Sequence, residues 1–322
     1  RTAKRQTMDR AQRMERLAAV ARMYYEEDCT QNEIAGRFGI SRPMVSKLLK
    51  EAKRQGVVTI QIRVPGQTET GEKKDLLSLL KQKYGLAGGV LVRGGAGDVA
   101  TNQAVADAGL AYLERLAGEG RKRFGIGWGH IIGELVGRIE GSPRPVQMGE
   151  AICPLIGNSG AGLKNYHSNE LVRVVSEHSQ AVPEFIYTPA SMASEQELER
   201  TMDLESYHEI RRAWERLEVA LVNIGNFPSV PDFASKARYG EQLVRERAAA
   251  RILNYFVGED GHVLRSETDY AVQIPLELLK QVPCVVGICS ANTNPRALAA
   301  ALRSGYIHVL IAPEPVASRL IE

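Results

Sequence analysis

The stretch from Thr30 to Leu49 constrains this chain more than any other part of it. Thr30 followed by Glu33 is a capping box, and it predicts a helix over about Gln31 to Phe38. Gly39 then supplies a residue at ease in a left-handed turn. Ser41 caps a second helix, with Pro43 in its first turn, where a missing N–H costs nothing. Val45, Leu48, Leu49 and Ala52 recur at helical spacing and form the inward stripe of that helix, which Gly56 ends. Ala35 is small where the two helices must cross, and Ile40, Val45 and Leu48 lock the second against the first. The pattern is a helix-turn-helix. Upstream, Met14, Leu17, Ala18, Ala21 and Tyr25 give a preceding helix within Met8–Tyr25, closed by Glu26-Glu27-Asp28. Downstream, Val57–Arg63 reads as a strand, in the position of a wing.

The other face of the second helix offers Ser41, Arg42, Pro43, Met44, Ser46, Lys47 and Lys50, short polar or basic groups for the most part. In this motif the N-terminal part of that helix enters the major groove of DNA. Arg42 is the candidate base contact, because its fork matches guanine O6 and N7. Gln31 and Lys47 are candidate phosphate contacts, which position a protein without specifying sequence. Charge agrees. The net charge of +3 hides 14 lysines and arginines against 7 acids in residues 1–63, and 27 against 31 in the remainder. A basic helical bundle with a solvated face is the bland alternative, but the caps, the turn glycine and the wing all fall in register with the charge.

Pro65-Gly66 and the polar residues after it form a linker, which divides the chain into a DNA-binding domain, 1–64, and a second domain, 65–322. After a helix over Glu72–Tyr84, strand-like runs at Gly89–Val92, Phe124–Gly127, Ala151–Ile156, Glu184–Tyr187, Val219–Ile224, Cys284–Ile288 and Ile307–Ile311 alternate with helical patterns. The clearest of these are Ala100–Leu116, Asn169–Ser179, Glu241–Tyr255 and Pro295–Arg303. Strands alternating with helices predict an α/β domain around a mainly parallel sheet. Within it, Gly127-Trp128-Gly129-His130 forms a glycine-rich turn between strand and helix. Such a turn lets backbone approach a phosphate, carboxylate or polyhydroxyl group at a helix N-terminus, although tight packing explains glycines equally well. The spacing is not that of a dinucleotide fold, since His130 stands where a third glycine belongs.

Other chemistries lack their residues. No run of about 18 apolar residues exists, so no membrane span is expected. Arg1–Arg22 is basic and polar, without the apolar core of a secretory leader. Cys29, Cys153, Cys284 and Cys289 have no metal or CxxC spacing and read as reduced, packed thiols of a cytoplasmic protein. Neither an HExxH pattern nor a Cys/His cluster is present among the six histidines, and neither a nucleophile elbow nor a P-loop occurs. No metal site, cofactor or catalytic residue is expected. His308, in an apolar run, reads as a hydrogen-bonded core residue.

The chain resembles the SorC family of bacterial sugar-responsive transcriptional regulators. The resemblance runs from about Met8 to the C-terminus. It rests on Ser41-Arg42 with Val45-Ser46 and Leu48-Leu49, on Gly127-Trp128-Gly129, on Tyr187-Thr188-Pro189-Ala190, on Ala220–Gly225, and on Val285-Val286-Gly287 with Ala297–Ile311. It implies an effector domain resembling the sugar-phosphate isomerase and CoA transferase fold, without catalysis, that binds an inducer at the strand ends. It also implies homodimers that pair into homotetramers on operator DNA. The turn Gly127–His130 would hold the effector's phosphate or terminal hydroxyls, and Gly157–Asn169, with Gly157, Asn165, His167 and Asn169, would cover the sugar. Arg251, Asn292 and Asn294 complete the candidate set.

Four positions depart from the family pattern. Asn294 stands where a phosphate-binding lysine is usual, Ala250-Arg251 replaces Gly-Asp, Ala312-Pro313 replaces Thr-Asp, and His130 replaces Thr or Ser. The loss of a lysine removes a charge-assisted bond worth about 1.5–3 kcal/mol. The expected effector is a sugar, a polyol or a sugar phosphate, and an unphosphorylated one fits the departures best. Arg251 either supplies positive charge to that site or faces solvent. The alternatives are a bifunctional DNA-binding enzyme with isomerase-like activity on sugar phosphates, which needs a carboxylate or lysine at the strand ends, and an architectural DNA-binding protein whose large domain only oligomerises.

Overall fold

Thr30 adopts extended backbone (φ −69°, ψ 155°) and opens a helix with both halves of its capping box formed. In the computed structural model, which describes residues 16–25, 29–54, 58, 75–160, 164–229 and 238–321, three helices precede the linker. They are α1 (residues 16–25), α2 (Gln31–Phe38) and α3 (Arg42–Arg54). Gly39 takes φ 60°, and the Ile40 N–H reaches back to the Ala35 carbonyl at 3.0 Å, so the turn consumes the last carbonyls of α2. Val20, Met23, Ile34, Val45 and Leu49 form one buried cluster, and Leu17, Ala21 and Ala52 a second. Leu48 is half-buried rather than fully inward. The expected wing, except Val58, and the boundary at 64/65 lie outside the described residues. So does the first part of the Met8–Tyr25 helix.

The chain divides into two compact units on either side of residue 73, and the second opens with α4 (Leu76–Tyr84) and α5 (Asp98–Gly118). The second holds a ten-stranded sheet: β1 (Gly88–Val92), β2 (Arg123–Ile126), β3 (Ala151–Pro154), β4 (Val182–Pro183), β5 (Val219–Asn226), β6 (Ala248–Ile252), β7 (Tyr255–Gly258), β8 (Val263–Leu264), β9 (Cys284–Ile288) and β10 (Val309–Pro313). Seven strands run parallel in the order β1-β10-β9-β5-β2-β3-β4. All of β3, β9 and β10 is buried, as a sheet covered on both faces requires. The chain leaves β2 toward β3 and β4, returns to β5 on the other side of β2, and leaves again toward β9 and β10. Neighbouring β2 and β5 therefore send their connections in opposite directions, which opens a crevice beyond their C-terminal ends.

Two expected elements are corrected. The run Glu241–Tyr255 is not one helix. A short helix, Gln242–Arg245, gives way to β6, which pairs antiparallel with the end of β5 and with β7. Arg247 and Leu253, both at φ 54°, bound β6 on either side. The alanine-rich sequence favours helix by only tenths of a kcal/mol per residue, and burial of all five β6 residues outweighs it. The strand expected over Glu184–Tyr187 is instead Val182–Pro183, paired with the start of β3. There Asn169, rather than a neighbouring strand, takes the Ile186 peptide.

Candidate functional site

In the N-terminal unit, α3 sorts its residues by face. Val45, Leu49 and Ala52 are buried, while Ser41, Arg42, Pro43, Met44, Lys47 and Lys50 are exposed and Ser46 is half-buried. Met44 is 45% exposed, apolar in the middle of a polar surface, and suits contact with a thymine methyl group. Gln31, the first residue of α2, lies with Tyr24, Thr30, Asn32 and Arg42 around one notch. The notch thus brings together the first residues of α2 and α3, where the helix dipoles favour an anion such as phosphate.

In the second unit, a cleft of about 260 Å³ lies at the crevice between β2 and β5. Its walls come from His130 and Ile131 at the start of α6 (His130–Glu140), from the end of β5 and the residues after it, Asn223 to Ser229, from Arg251 on β6, and from the loop Ser290–Thr293 after β9. Tyr166 closes one side. Arg251 is only 7% exposed, so of its two expected fates it takes the inward one. Burial raises the pKa of the Tyr166 hydroxyl, and the charge of Arg251 pulls it the other way. Amides, hydroxyls, an imidazole and one guanidinium dominate the lining. Among the described lining residues there is no lysine or carboxylate, the groups an isomerase-like reaction would need.

The structure brings together His130, Arg251 and Asn292 among the expected effector contacts. The others do not line this cleft. Gly127 is buried and donates its N–H to Leu221 O at 2.8 Å. Trp128 is 3% exposed, a core residue whose ring meets Tyr166 edge-on at 5.5 Å. Gly129 is the residue before α6 and has φ 123°; a Cβ there would come within 2.7 Å of the Asn223 amide nitrogen, so it needs to be glycine. Its N–H donates to Asn165 O at 3.0 Å, and the Asn165 side chain packs against Gly133. His167 precedes α7 (Ser168–Glu177). Gly157 is pressed against the Pro189 carbonyl. Asn169 spends both ends of its amide on Ile186, accepting from its N–H at 3.0 Å and donating to its carbonyl at 2.8 Å. Asn294 caps the helix Pro295–Arg303 by accepting the Arg296 N–H at 2.8 Å.

Asn223, Asn226, Tyr166, Ser290 and Thr293 line the cleft without having been singled out in the sequence. The signal available was the pair of asparagines, Asn223 and Asn226, on either side of Ile224-Gly225 at a strand end. A separate cleft of about 320 Å³ is lined by Tyr207, Tyr239 and Tyr255 among others. Its polar groups are largely engaged within the protein: Tyr239 donates to Asp269, Tyr255 to Ile274 O, and Asp269 pairs with buried Arg238. The switch-point cleft is the better candidate because it lies beyond the strand ends where β2 and β5 send their connections apart.

Three of the four thiols are packed, while Cys29 is half-buried. Cys153 and Cys289 are buried; burial pushes Cys153 up strongly and Cys289 up to about 12, too high to act as nucleophiles at neutral pH. Cys284 is raised by the same cause. The His308 Nδ1 accepts the Val285 N–H at 3.1 Å, so the ring is hydrogen-bonded as expected, but it is half-buried rather than a core residue. Among the described residues no cluster of His, Cys, Asp or Glu could hold a metal ion, and no helix is long and apolar enough to cross a membrane.

A helix-turn-helix unit joined to a doubly wound α/β unit, with a polar cleft at its switch point, defines a DNA-binding protein of the ligand-responsive type. Residues 69–322 match the family model Sugar-bind, described as "Putative sugar-binding domain", and the chain belongs to this family. Residues 15–55 match the model for region 4 of sigma-70. The chain is 29% identical over 315 residues to the sorbitol operon regulator of Klebsiella pneumoniae, covering 95% of this chain and 97% of that one. It is 25% identical to the deoxyribonucleoside regulator of Bacillus subtilis, covering 98% and 99%. The solved full-length Klebsiella regulator SorC superposes with a TM-score of 0.66 at 27% identity, over 96% of this chain and 99% of that one. The chain is therefore homologous to the SorC-type sugar-responsive regulators, as its sequence motifs lead one to expect.

Proposed function

We propose that this protein binds operator DNA through the outward face of α3 and releases or engages it according to a small carbohydrate or polyol held in the cleft between β2 and β5. The observation that carries this reading is the segregation of α3, with Arg42, Met44, Lys47 and Lys50 outward and Val45, Leu49 and Ala52 inward. Arg42 is the base-reading residue; Ser41, Pro43 and Ser46 shape the approach, and Gln31, Lys47 and Lys50 engage phosphates. In the effector cleft, His130, Arg251, Asn223 and Asn292 are the ligand contacts, with Gly127, Trp128, Gly129, Gly157, Asn165, His167, Asn169 and Asn294 as the framework. The cleft approaches the size of ordinary ligand sites, which start at about 300 Å³, and so suits a molecule of monosaccharide size.

Control follows from linkage. An effector that binds two arrangements of a homo-oligomer unequally shifts operator affinity by that difference. Dimers, or tetramers made of them, would read half-sites about 34 Å apart or multiples of that. The domain division, a DNA-binding part to residue 64 and an effector part beyond it, is part of the same reading. So are a cytoplasmic location, the absence of catalysis and the isomerase/CoA-transferase ancestry of the effector domain. The relatives, regulators by name, support a non-catalytic role. Gel-shift titration of selected operator fragments tests the reading: Arg42→Ala should relax discrimination between operator and single-base variants. Intact discrimination would move the reading surface elsewhere.

A further inference from the structure

The loop that follows β9 is held in an unusual way. The Ser290 N–H donates to Thr293 Oγ1 at 3.0 Å, the Thr293 N–H to Ser290 O at 3.1 Å, and the Ala291 N–H to Oδ1 of Asn102 at 2.8 Å. Asn102 is a buried residue of α5 (Asp98–Gly118), 5% exposed. From the opposite side, Asn226 at the end of β5 grips the loop with both ends of its amide. Its Nδ2 donates to Asn292 O at 2.9 Å, and its Oδ1 accepts the Asn294 N–H at 2.8 Å. The Asn294 side chain is committed in turn to the Arg296 N–H.

A loop that binds an anion through its backbone turns its N–H groups toward the ligand. Here every N–H of the loop except that of Asn292 is taken inside the protein, and Thr293, 5% exposed, spends its Oγ1 on the Ser290 N–H, so this wall meets the cleft chiefly with the side chains of Ser290 and Asn292. We infer that Asn226 is a positioning residue of the effector site, and that the wall it fixes reads uncharged hydroxyl groups rather than a phosphate. The inference rests on the reading of this cleft as a carbohydrate site. Donors for an anionic group lie across the cleft, at Arg251 and at the start of α6, where no side chain caps the helix.

Hydrogen exchange on the full chain tests the grip without any ligand. In Asn226→Ala, the peptide covering the Ser290–Asn294 loop should exchange about tenfold faster, the size expected for two lost hydrogen bonds. Peptides from β9 and from the body of the helix Pro295–Arg303 should keep their wild-type rates. Asn226→Asp, which still accepts from Asn294 but cannot donate to Asn292 when ionised, should fall between. Unchanged exchange in the loop, or acceleration spread evenly over β5 and β9, would overturn the proposal. Calorimetry with sorbitol and sorbitol 6-phosphate tests what the wall reads. Asn226→Ala should weaken both by a similar factor, whereas a loss confined to the phosphate would assign the loop to the anion and overturn that assignment. If the wild-type protein binds neither probe, it is the carbohydrate reading that loses support, and exchange still decides the role of Asn226.

Discussion

Thr30 and Glu33 satisfy each other across the first turn of α2. The Thr30 N–H donates to the Glu33 carboxylate at 2.7 Å, and Thr30 Oγ1 accepts the Glu33 N–H at 3.3 Å. Thr30→Ala should cost about 1 kcal/mol of helix stability, as loss of an N-cap does. Hydrogen exchange over α2 would register it, and unchanged protection would refute it. The same bond, chiefly the Thr30 backbone N–H, holds the Glu33 carboxyl below its ordinary value of 4.5. A depressed folded-state pKa means that this contribution is complete above the ordinary value and is lost as pH falls below it. Glu33→Gln should therefore lose part of the acid sensitivity of α2.

Arg42 and Lys47 are both exposed on α3 but should fail differently. Lys47→Ala should weaken operator and random DNA alike and lower the slope of log affinity against log salt by about 1. A salt series with fluorescence anisotropy checks this. A Lys47→Ala protein that lost only operator binding would make Lys47 a base reader.

Gly157 and Gly137 should respond oppositely to alanine. A Cβ at Gly157 would stand 2.3 Å from the Pro189 carbonyl oxygen and 2.8 Å from the Ala190 nitrogen, both backbone atoms with little freedom to yield. The paired bonds of Asn158 with Thr188 and Ala190, each 2.9 Å, would shift with it. Gly157→Ala should cost about 1–3 kcal/mol. Gly137, exposed on α6 with nothing within 4 Å of its Cβ position, should gain about 0.4–1 kcal/mol. Denaturant unfolding of the two variants gives the comparison.

Burial pulls the His308 imidazole below its ordinary value of 6.5. Its neutral Nδ1 accepts the Val285 N–H, a role the protonated ring cannot fill. The contribution is complete above about pH 6.5 and declines as pH falls through the window below. Thermal unfolding between pH 7.5 and 5.5 should show a smaller acid loss in His308→Gln than in the wild type. An identical loss in both would place the sensitivity on other groups.

The helix-turn-helix was legible because every determinant of it is local. A capping box, a turn glycine and a stripe of Val45, Leu49 and Ala52 act over four or five residues, and no distant partner is needed to fix them. Most strands of the parallel sheet were legible for a related reason: buried on both faces, β9 and β10 carry continuous apolar runs. The alanine-rich segment at β6 was not. Its composition favours a helix, and only pairing with the end of β5 makes it a strand.

The effector cleft divides the same way. Sequence by itself determined that a glycine-rich turn follows β2 and that a helix starts at His130, since both follow from residue type and spacing. Tertiary structure alone decided that Arg251 turns inward, that Asn169 serves the Ile186 peptide, and that Asn226 grips a loop sixty-odd residues away. Such roles depend on which strand ends the sheet order brings side by side. That order is set by burial over the whole unit, which no short window of residues contains.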